Sequence, residues 1–327
     1  LSRTLGKLDW DKQVHPDPDN LPSGSQTQSG PAPASAPKTG GGQASQPMIE
    51  GVNELKKGKS LIAEKEFAVE KDHYLPDHSI NGTPYVPGVM GIETFMEAAE
   101  LFLGEKPAGL EEVRFALPIK LLRNRPQKVR ITAADSDGAA FMRIESDFVN
   151  PKGVKLGDPR LHFSARSMAA GNKLKWETTN QPVVPQSYTP QVTKETIYKT
   201  FFHGPSFQVL DCIVAIDDKT VMAVYKRPVK PMWDEGDKEL SASPLLIEAA
   251  FQACGYRDLH VAKTMTLPDA IRRVHVFSHG PQPDTLNIWS VFKGKDEKGY
   301  SVYDAFVFDQ RGRLWIELED YKMVPQE

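Results

Sequence analysis

Cysteine is scarce in this sequence, and its scarcity argues against several classes of protein. Cys212 and Cys254 are the only two among 327 residues, and they stand far apart without metal-ligand spacing. We therefore expect no disulfide framework and a reducing, cytoplasmic environment. Long apolar runs are missing too, since no stretch approaches the roughly 20 residues that cross a bilayer. We expect no membrane partner.

An excess of charge of either sign is also lacking. Lys and Arg number 40, Asp and Glu number 43, and the net charge is −3. This balance gives no reason to expect nucleic-acid binding. No glycine-rich loop leads from a strand into a helix, and no His, Cys, Asp or Glu cluster has metal-ligand spacing, so we expect neither a nucleotide cofactor nor a metal.

Bulky apolar residues are nearly absent from the N-terminal part of the chain. Residues 16–47 contain no aromatic side chain, and Leu21 is their only large aliphatic one. Such a segment buries too little apolar surface to offset its ordering entropy, which predicts a flexible linker. The predicted organisation is a tail of a preceding domain (1–13), a linker (14–55), a first globular half (56–170), a Pro-rich connection (171–190) and a second half (191–327).

What is present is one pattern that occurs twice, a single apolar helix followed by several strands. In the first half Val89, Ile92, Met96, Ala99 and Leu103 recur at helical spacing. Alternating strand-like runs then extend to about residue 166. The second half repeats the order, with a helix opening at Ser243 as N-cap and Pro244 as first helical residue. An α+β fold with two helix-and-sheet halves follows.

A histidine motif precedes the first helix. His78, Gly82 and Pro87 have the spacing H-x-x-x-G-x-x-x-x-P, and Gly88 opens the helix. A neutral imidazole is a good base near pH 7. The N–H groups of a helix N-terminus can bind a developing oxyanion. Base and oxyanion donor together suit the removal of a proton from carbon next to a carbonyl group.

Further motifs follow in order along the chain. Residues 115–118 read F-A-L-P, residues 198–208 read Y-K-T-F-F-H-G-P-S-F-Q, and residues 248–252 read E-A-A-F-Q. With the His78 motif, they resemble the dehydratase domains of polyketide synthases and polyunsaturated-fatty-acid-type synthases over roughly residues 60–327. The resemblance implies the double hot-dog fold, in which two antiparallel sheets are each wrapped round a central helix. Residues 8–10, followed by the linker, are similar to the end of a ketoreductase domain.

The resemblance also implies a reaction and its residues. A 3-hydroxyacyl thioester on the phosphopantetheine arm of an acyl carrier protein would lose water to give the trans-2-enoyl thioester, with no cofactor belonging to the domain itself. His78 would remove the α-proton, the Gly88 N–H would bind the thioester oxygen, Glu248 would protonate the leaving hydroxyl, and Gln252 would orient that acid. The residues expected to line the substrate tunnel are Gly82, Pro87, His203, Gly204, Pro205 and Phe207.

Glu248 departs from the family pattern, because modular polyketide dehydratases have Asp at this place. A glutamate is the acid in the similar E-x-x-x-Q helix of single hot-dog dehydratases, and these enzymes place it where Glu93 stands here. We interpret Glu93 as a vestigial or structural carboxylate. The alternatives are a catalytically impaired scaffold for dimerisation or carrier docking, and an enoyl isomerase or product-template-like cyclase. The expected partners are an acyl carrier protein, neighbouring synthase domains and a second copy of the chain.

Overall fold

The computed structural model describes residues 46–148, 154–168, 188–236 and 238–326. The predicted tail (1–13) and residues 171–187 of the predicted connection lie outside these ranges. The elements in chain order are β1 Gly51–Lys56, β2 Ser60–Phe67, β3 Ser79–Ile80, β4 Thr83–Pro84, α1 Gly88–Leu103, β5 Gly109–Phe115, β6 Gln127–Ser136, β7 Ala139–Ser146, β8 Arg160–Ser167, β9 Val192–Thr193, α2 Lys194–Tyr198, β10 Leu210–Ile216, β11 Thr220–Lys226, α3 Pro244–Arg257, β12 Thr266–Val276, β13 Thr285–Lys295, β14 Ser301–Phe308 and β15 Leu314–Pro325.

The first central helix, α1, runs as its apolar spacing predicts. It begins at Gly88 and ends at Gly104, whose φ of 82° is the left-handed conformation that commonly ends a helix. Thirteen of its 16 residues are buried. A helix buried on nearly all sides must be enclosed, and α1 packs against strands of the first half and against α3.

The second central helix, α3, is enclosed in the same way, with 13 of its 14 residues buried. Pro244 is its first residue, as predicted. Ser243 stands at the N-cap position, but its side chain makes no capping hydrogen bond and its φ is 54°. The two preceding N–H groups, of Ser241 and Ala242, donate to the Glu93 carboxylate, which ties this segment to α1.

In the described part of the chain, thirteen of the fifteen strands form one antiparallel sheet that passes through both halves, and β3 and β4 pair separately. Its order is β1-β2-β6-β7-β8-β5 in the first half, continuing as β12-β15-β14-β13-β11-β10-β9 in the second. The halves are joined where β5 pairs with β12, in a register that places Val113 opposite Ile271. The double hot-dog fold is confirmed, and its two half-sheets are continuous at this seam.

The predicted linker, 14–55, extends too far towards the C-terminus. Strand β1 lies within that range and pairs with β2 along Gly51–Lys56. Met48 is fully buried, and its N–H donates to the Glu97 carboxylate at 2.9 Å. The sequence of β1, GVNELK, shows little alternation of apolar residues. This agrees with its place at the edge of the sheet, where its side chains are exposed or half-buried. The ordered fold therefore includes this strand.

In the described part of the chain, no helix has the length and the hydropathy that a membrane span requires.

Candidate active site

His78 closes a short 3₁₀ turn, Leu75–His78, and enters the small β3–β4 hairpin. Its Nδ1–H donates to the backbone carbonyl of Tyr85 at 2.9 Å. This bond fixes the ring tautomer and leaves the Nε2 lone pair as the basic nitrogen. Burial, reinforced by the neighbouring His203, lowers the pKa of His78 to about 4. The imidazole is therefore neutral near pH 7, as a general base must be.

The glycines and proline of the motif shape the backbone around His78. Pro87 is buried and directly precedes α1, and Gly88 is the first helical residue, so its N–H has no acceptor within the helix. Gly82 has a φ of 76°, which favours glycine. It lies in an exposed turn, and a Cβ added there would meet no atom within 4 Å. Gly82 thus turns the β3–β4 hairpin, and its place in the substrate tunnel stays a prediction.

Glu248 and Gln252 lie one turn apart on α3, and both are buried. The Gln252 side-chain amide donates to Glu248 Oε1 at 2.9 Å and to the Phe207 carbonyl oxygen, also at 2.9 Å. The Tyr198 hydroxyl donates to Gln252 Oε1 at 2.8 Å and itself accepts the Leu210 N–H at 2.8 Å. This chain of hydrogen bonds holds Gln252 in the orientation that directs its N–H to the acid.

His203 joins the histidine and the acid. Its Nε2 lies 3.1 Å from Glu248 Oε1, and its ring centroid lies 5.6 Å from that of His78. The Phe207 ring, predicted to line the tunnel, is 5.5 Å from the His78 ring. The sequence motifs thus meet at one place, with His78 from the first half and Glu248 from the second.

The charge of Glu248 follows from these neighbours. Burial alone would raise its pKa, but the hydrogen bond from His203 and the charges of His203 and His78 in their protonated forms outweigh burial, and the Gln252 amide assists them. The pKa of Glu248 is held below its ordinary value. The same carboxylate opposes the depression of the His78 pKa, which shows that the two groups act on each other.

Asp77 is a residue of this site that the sequence reasoning missed. Its backbone carbonyl accepts the Gly204 N–H at 2.7 Å, and its Oδ2 accepts the Ser206 N–H at 3.0 Å and the Lys230 ammonium at 2.8 Å. A Cβ on Gly204 would lie 2.5 Å from Asp77 Oδ1, so only glycine permits this approach. Pro205 begins the 3₁₀ turn that follows, Pro205–Phe207. The residue next to the base therefore fastens the segment that bears His203.

Two other features of the described residues lie apart from this site. A cavity of about 350 Å³ opens at the N-terminal end of α3, between Lys238, Pro244 and Trp315, and no predicted catalytic residue lines it. His275, Glu317 and Glu319 have the spacing of metal ligands. Glu319, however, already pairs with the guanidinium groups of Arg272 and Arg273.

Two hot-dog halves that bring a histidine and a carboxylic acid together define the class of double hot-dog dehydratases, and the family comparisons agree. Residues 46–147 match the family model described as the polyketide synthase dehydratase domain, and residues 177–327 match the one described as the polyketide synthase dehydratase N-terminal domain. Together the two matches span most of the chain. The chain belongs to the polyketide synthase dehydratase family.

Curated relatives are distant and much longer. The chain is 23% identical over 273 residues to polyketide synthase PksM of Bacillus subtilis (strain 168), covering 77% of this chain and 6% of that protein. It is 22% identical over 273 residues to polyketide synthase GfsA of Streptomyces halstedii, covering 81% of this chain and 4% of that protein. The chain thus spans a small part of the length of these relatives.

Solved structures share the fold. The dehydratase domain from the CurJ module of the curacin polyketide synthase superposes with a TM-score of 0.69 at 17% identity, over 85% of this chain and 96% of that chain. The dehydratase domain of a mycocerosic acid synthase-like polyketide synthase gives a TM-score of 0.70 at 16% identity, over 88% of this chain and 98% of that chain.

Proposed function

We propose that this chain removes water from 3-hydroxyacyl thioesters carried on the phosphopantetheine arm of an acyl carrier protein and releases trans-2-enoyl thioesters. One observation carries the proposal: the half-buried ring of His78 lies 5.6 Å, centroid to centroid, from the ring of His203, whose Nε2 lies 3.1 Å from Glu248 Oε1 in the opposite half. A base that can reach the α-proton and an acid that can reach the β-hydroxyl are what this elimination requires.

The elimination begins at the α-carbon. His78 Nε2 takes the α-proton, since Nδ1 is committed to Tyr85. The electron pair moves towards the thioester carbonyl, and its oxygen receives the N–H of Gly88 at the start of α1. The positive end of the α1 dipole favours the charge that develops there.

Loss of the hydroxyl completes the reaction. A protonated Glu248 gives its proton to the β-hydroxyl, the C–O bond breaks, and water leaves as the double bond forms. Among the described residues, both hydrogen bonds to the Glu248 carboxyl end on Oε1, so we place Oε2 towards the substrate. The base and the acid are both side chains of this domain, so the proposed reaction requires no cofactor beyond the carrier arm.

The proposal includes the partners of such a domain. The relatives are polyketide synthases many times longer than the chain, which supports neighbouring synthase domains, an upstream ketoreductase that supplies the 3-hydroxyacyl group, and delivery by a carrier protein. A second copy of the chain is expected from the family. Acyl chain length and hydroxyl stereochemistry depend on the shape of the tunnel, and the assay measures both by varying the substrate.

The test is the turnover of 3-hydroxyacyl N-acetylcysteamine and carrier-protein thioesters by the wild type and His78→Ala, followed by the mass loss of water. We expect water loss by the wild type and a fall of at least about a thousandfold in the variant, because the base is gone. His73→Ala, on the same loop, is the matched control and should keep most turnover.

The alternatives correspond to other outcomes. No water loss by the wild type on both hydroxyl enantiomers and several chain lengths would contradict the proposal and favour the scaffold. A product with a shifted double bond or a ring would favour the isomerase or cyclase.

A further inference from the structure

His203 occupies a fixed position between the base and the acid. Its ring stacks on Phe202 with centroids 4.2 Å apart and lies edge-on to Phe201 at 5.5 Å. Its Nε2 lies 3.1 Å from Glu248 Oε1, and its side chain is only 9% exposed. The hydrogen bond from the Gly204 N–H to Asp77 fastens the backbone next to the ring. A histidine that only lined a tunnel would need none of these constraints.

The direction of the bond between His203 and Glu248 follows from the second ring nitrogen. Nδ1 of His203 is buried and has no hydrogen-bond partner among the described residues. A proton on Nδ1 of a neutral ring would be an unsatisfied buried donor, which is costly. The neutral ring therefore carries its proton on Nε2 and donates it to Glu248. Gln252 donates to the same oxygen at 2.9 Å.

We propose that His203 is a positioning residue for the catalytic acid, holding the Glu248 carboxyl by Oε1, directing Oε2 to the leaving hydroxyl, and stabilising the carboxylate that forms when the proton leaves. This inference rests on the proposed dehydration. In that step Glu248 passes one proton to the hydroxyl, His78 gains the α-proton, and exchange with solvent returns both groups to their starting states.

A consequence for the pH dependence follows. Glu248 must be protonated to act, and the donor on Oε1 favours its ionised form, in line with the lowered pKa of Glu248. Above that pKa Glu248 is mostly ionised and only the minor protonated fraction is active, so kcat/KM should fall as pH rises. Without the His203 donor, burial would raise the pKa of Glu248, so the fall would begin at higher pH. The His78 charge acts on Glu248 as well, but His78 is neutral throughout the range above pH 5.

The experiment compares the wild type, His203→Phe and His203→Gln. Phe keeps the aromatic stack and removes the donor, whereas Gln keeps an N–H donor and removes the imidazole ring. We expect His203→Phe to lower kcat about ten- to hundredfold with little change in KM, and the fall of kcat/KM to move to higher pH. His203→Gln should recover part of kcat. His260→Phe, an exposed histidine beyond α3, should behave as the wild type.

A second readout does not need turnover. The side-chain carboxyl of Glu248, labelled with ¹³C and assigned by its loss in Glu248→Gln, should titrate at higher pH in His203→Phe than in the wild type. Melting curves establish that the variants fold. If His203→Phe does not fold, the carboxyl titration and the pH profile are both measured on His203→Gln. The proposal is overturned if carboxyl titration and pH profile are the same in all variants. If His78→Ala still abolishes turnover in that case, the dehydration itself stands.

Discussion

Each central helix carries a glutamate followed one turn later by a second polar side chain, and the two helices use these pairs differently. On α1, Glu93 and Glu97 lie one turn apart; on α3, Glu248 and Gln252 do. Both oxygens of Glu93 accept backbone N–H groups, of Ser241 at 2.5 Å and Ala242 at 2.7 Å. Glu248 instead receives side-chain donors on one oxygen. A carboxyl whose two oxygens both accept hydrogen bonds from the main chain holds that segment of the chain in place.

The segments before the helices explain the difference. The loop before α1 contains the base, His78, whereas residues 227–243 before α3 contain no histidine. Glu93, on the helix opposite that second segment, therefore has no histidine base supplied by it. Glu97 also holds a backbone segment in place, since its Oε2 accepts the N–H of Met48. The first-half pair therefore holds the segments before β1 and before α3, whereas the second-half pair lies beside His203 and is the one that we propose for catalysis.

The difference between the two pairs can be tested at Gln252. Gln252→Glu would give α3 the pair of carboxyl groups found on α1, and we expect a large loss of turnover. The Phe207 carbonyl would lose its donor, and a second carboxylate one turn from Glu248 would replace a neutral orienting amide. We expect kcat to fall about a hundredfold, because the acid is displaced and repelled. Steady-state kinetics with melting curves would check this, and unchanged kcat would show that Gln252 does not orient Glu248.

A smaller effect should follow from Glu97→Gln. Burial, reinforced by Glu93, raises the pKa of Glu97 to about 9, far above its ordinary value near 4.5. The stability that the protonated group contributes is complete below about pH 4.5 and is lost as pH rises through about 9. A Gln keeps the Met48 bond and does not ionise.

The measurement is the melting temperature of both proteins at pH 6 and pH 9.5. The variant should melt roughly 3 °C above the wild type at the higher pH, with a smaller difference at pH 6. Parallel losses in the two proteins would mean that Glu97 is not the group that titrates.

The sequence predicted those parts of the molecule that local pattern encodes. Helical spacing predicts α1, the proline at Pro244 predicts the start of α3, and the resemblance to dehydratase motifs implies that His78, Glu248 and Gln252 belong to one site. The edge strand β1 was missed because its burial alternates weakly. No local period could reveal that Asp77 bonds to Ser206, 129 residues away.

Side-chain contacts between the two halves could not be predicted from the sequence either. The residues 198–208 were recognised as a motif, but the hydroxyl of Tyr198 and the ring of His203 acquire their roles only where they meet α3. Ser243 shows the same limit, since its expected cap is absent where Glu93 takes the neighbouring N–H groups. These contacts depend on packing between distant segments.

The most direct test of the account compares Glu248→Gln with Glu93→Gln in the water-loss assay, each with a melting curve. We predict that Glu248→Gln melts like the wild type and dehydrates at least about a thousandfold more slowly. Glu93→Gln should lose about 1–3 kcal/mol of stability, because one backbone N–H loses its acceptor, and should keep turnover within about tenfold when folded. Turnover by Glu248→Gln, or its loss in a stably folded Glu93→Gln, would contradict the assignment of the acid to the second half.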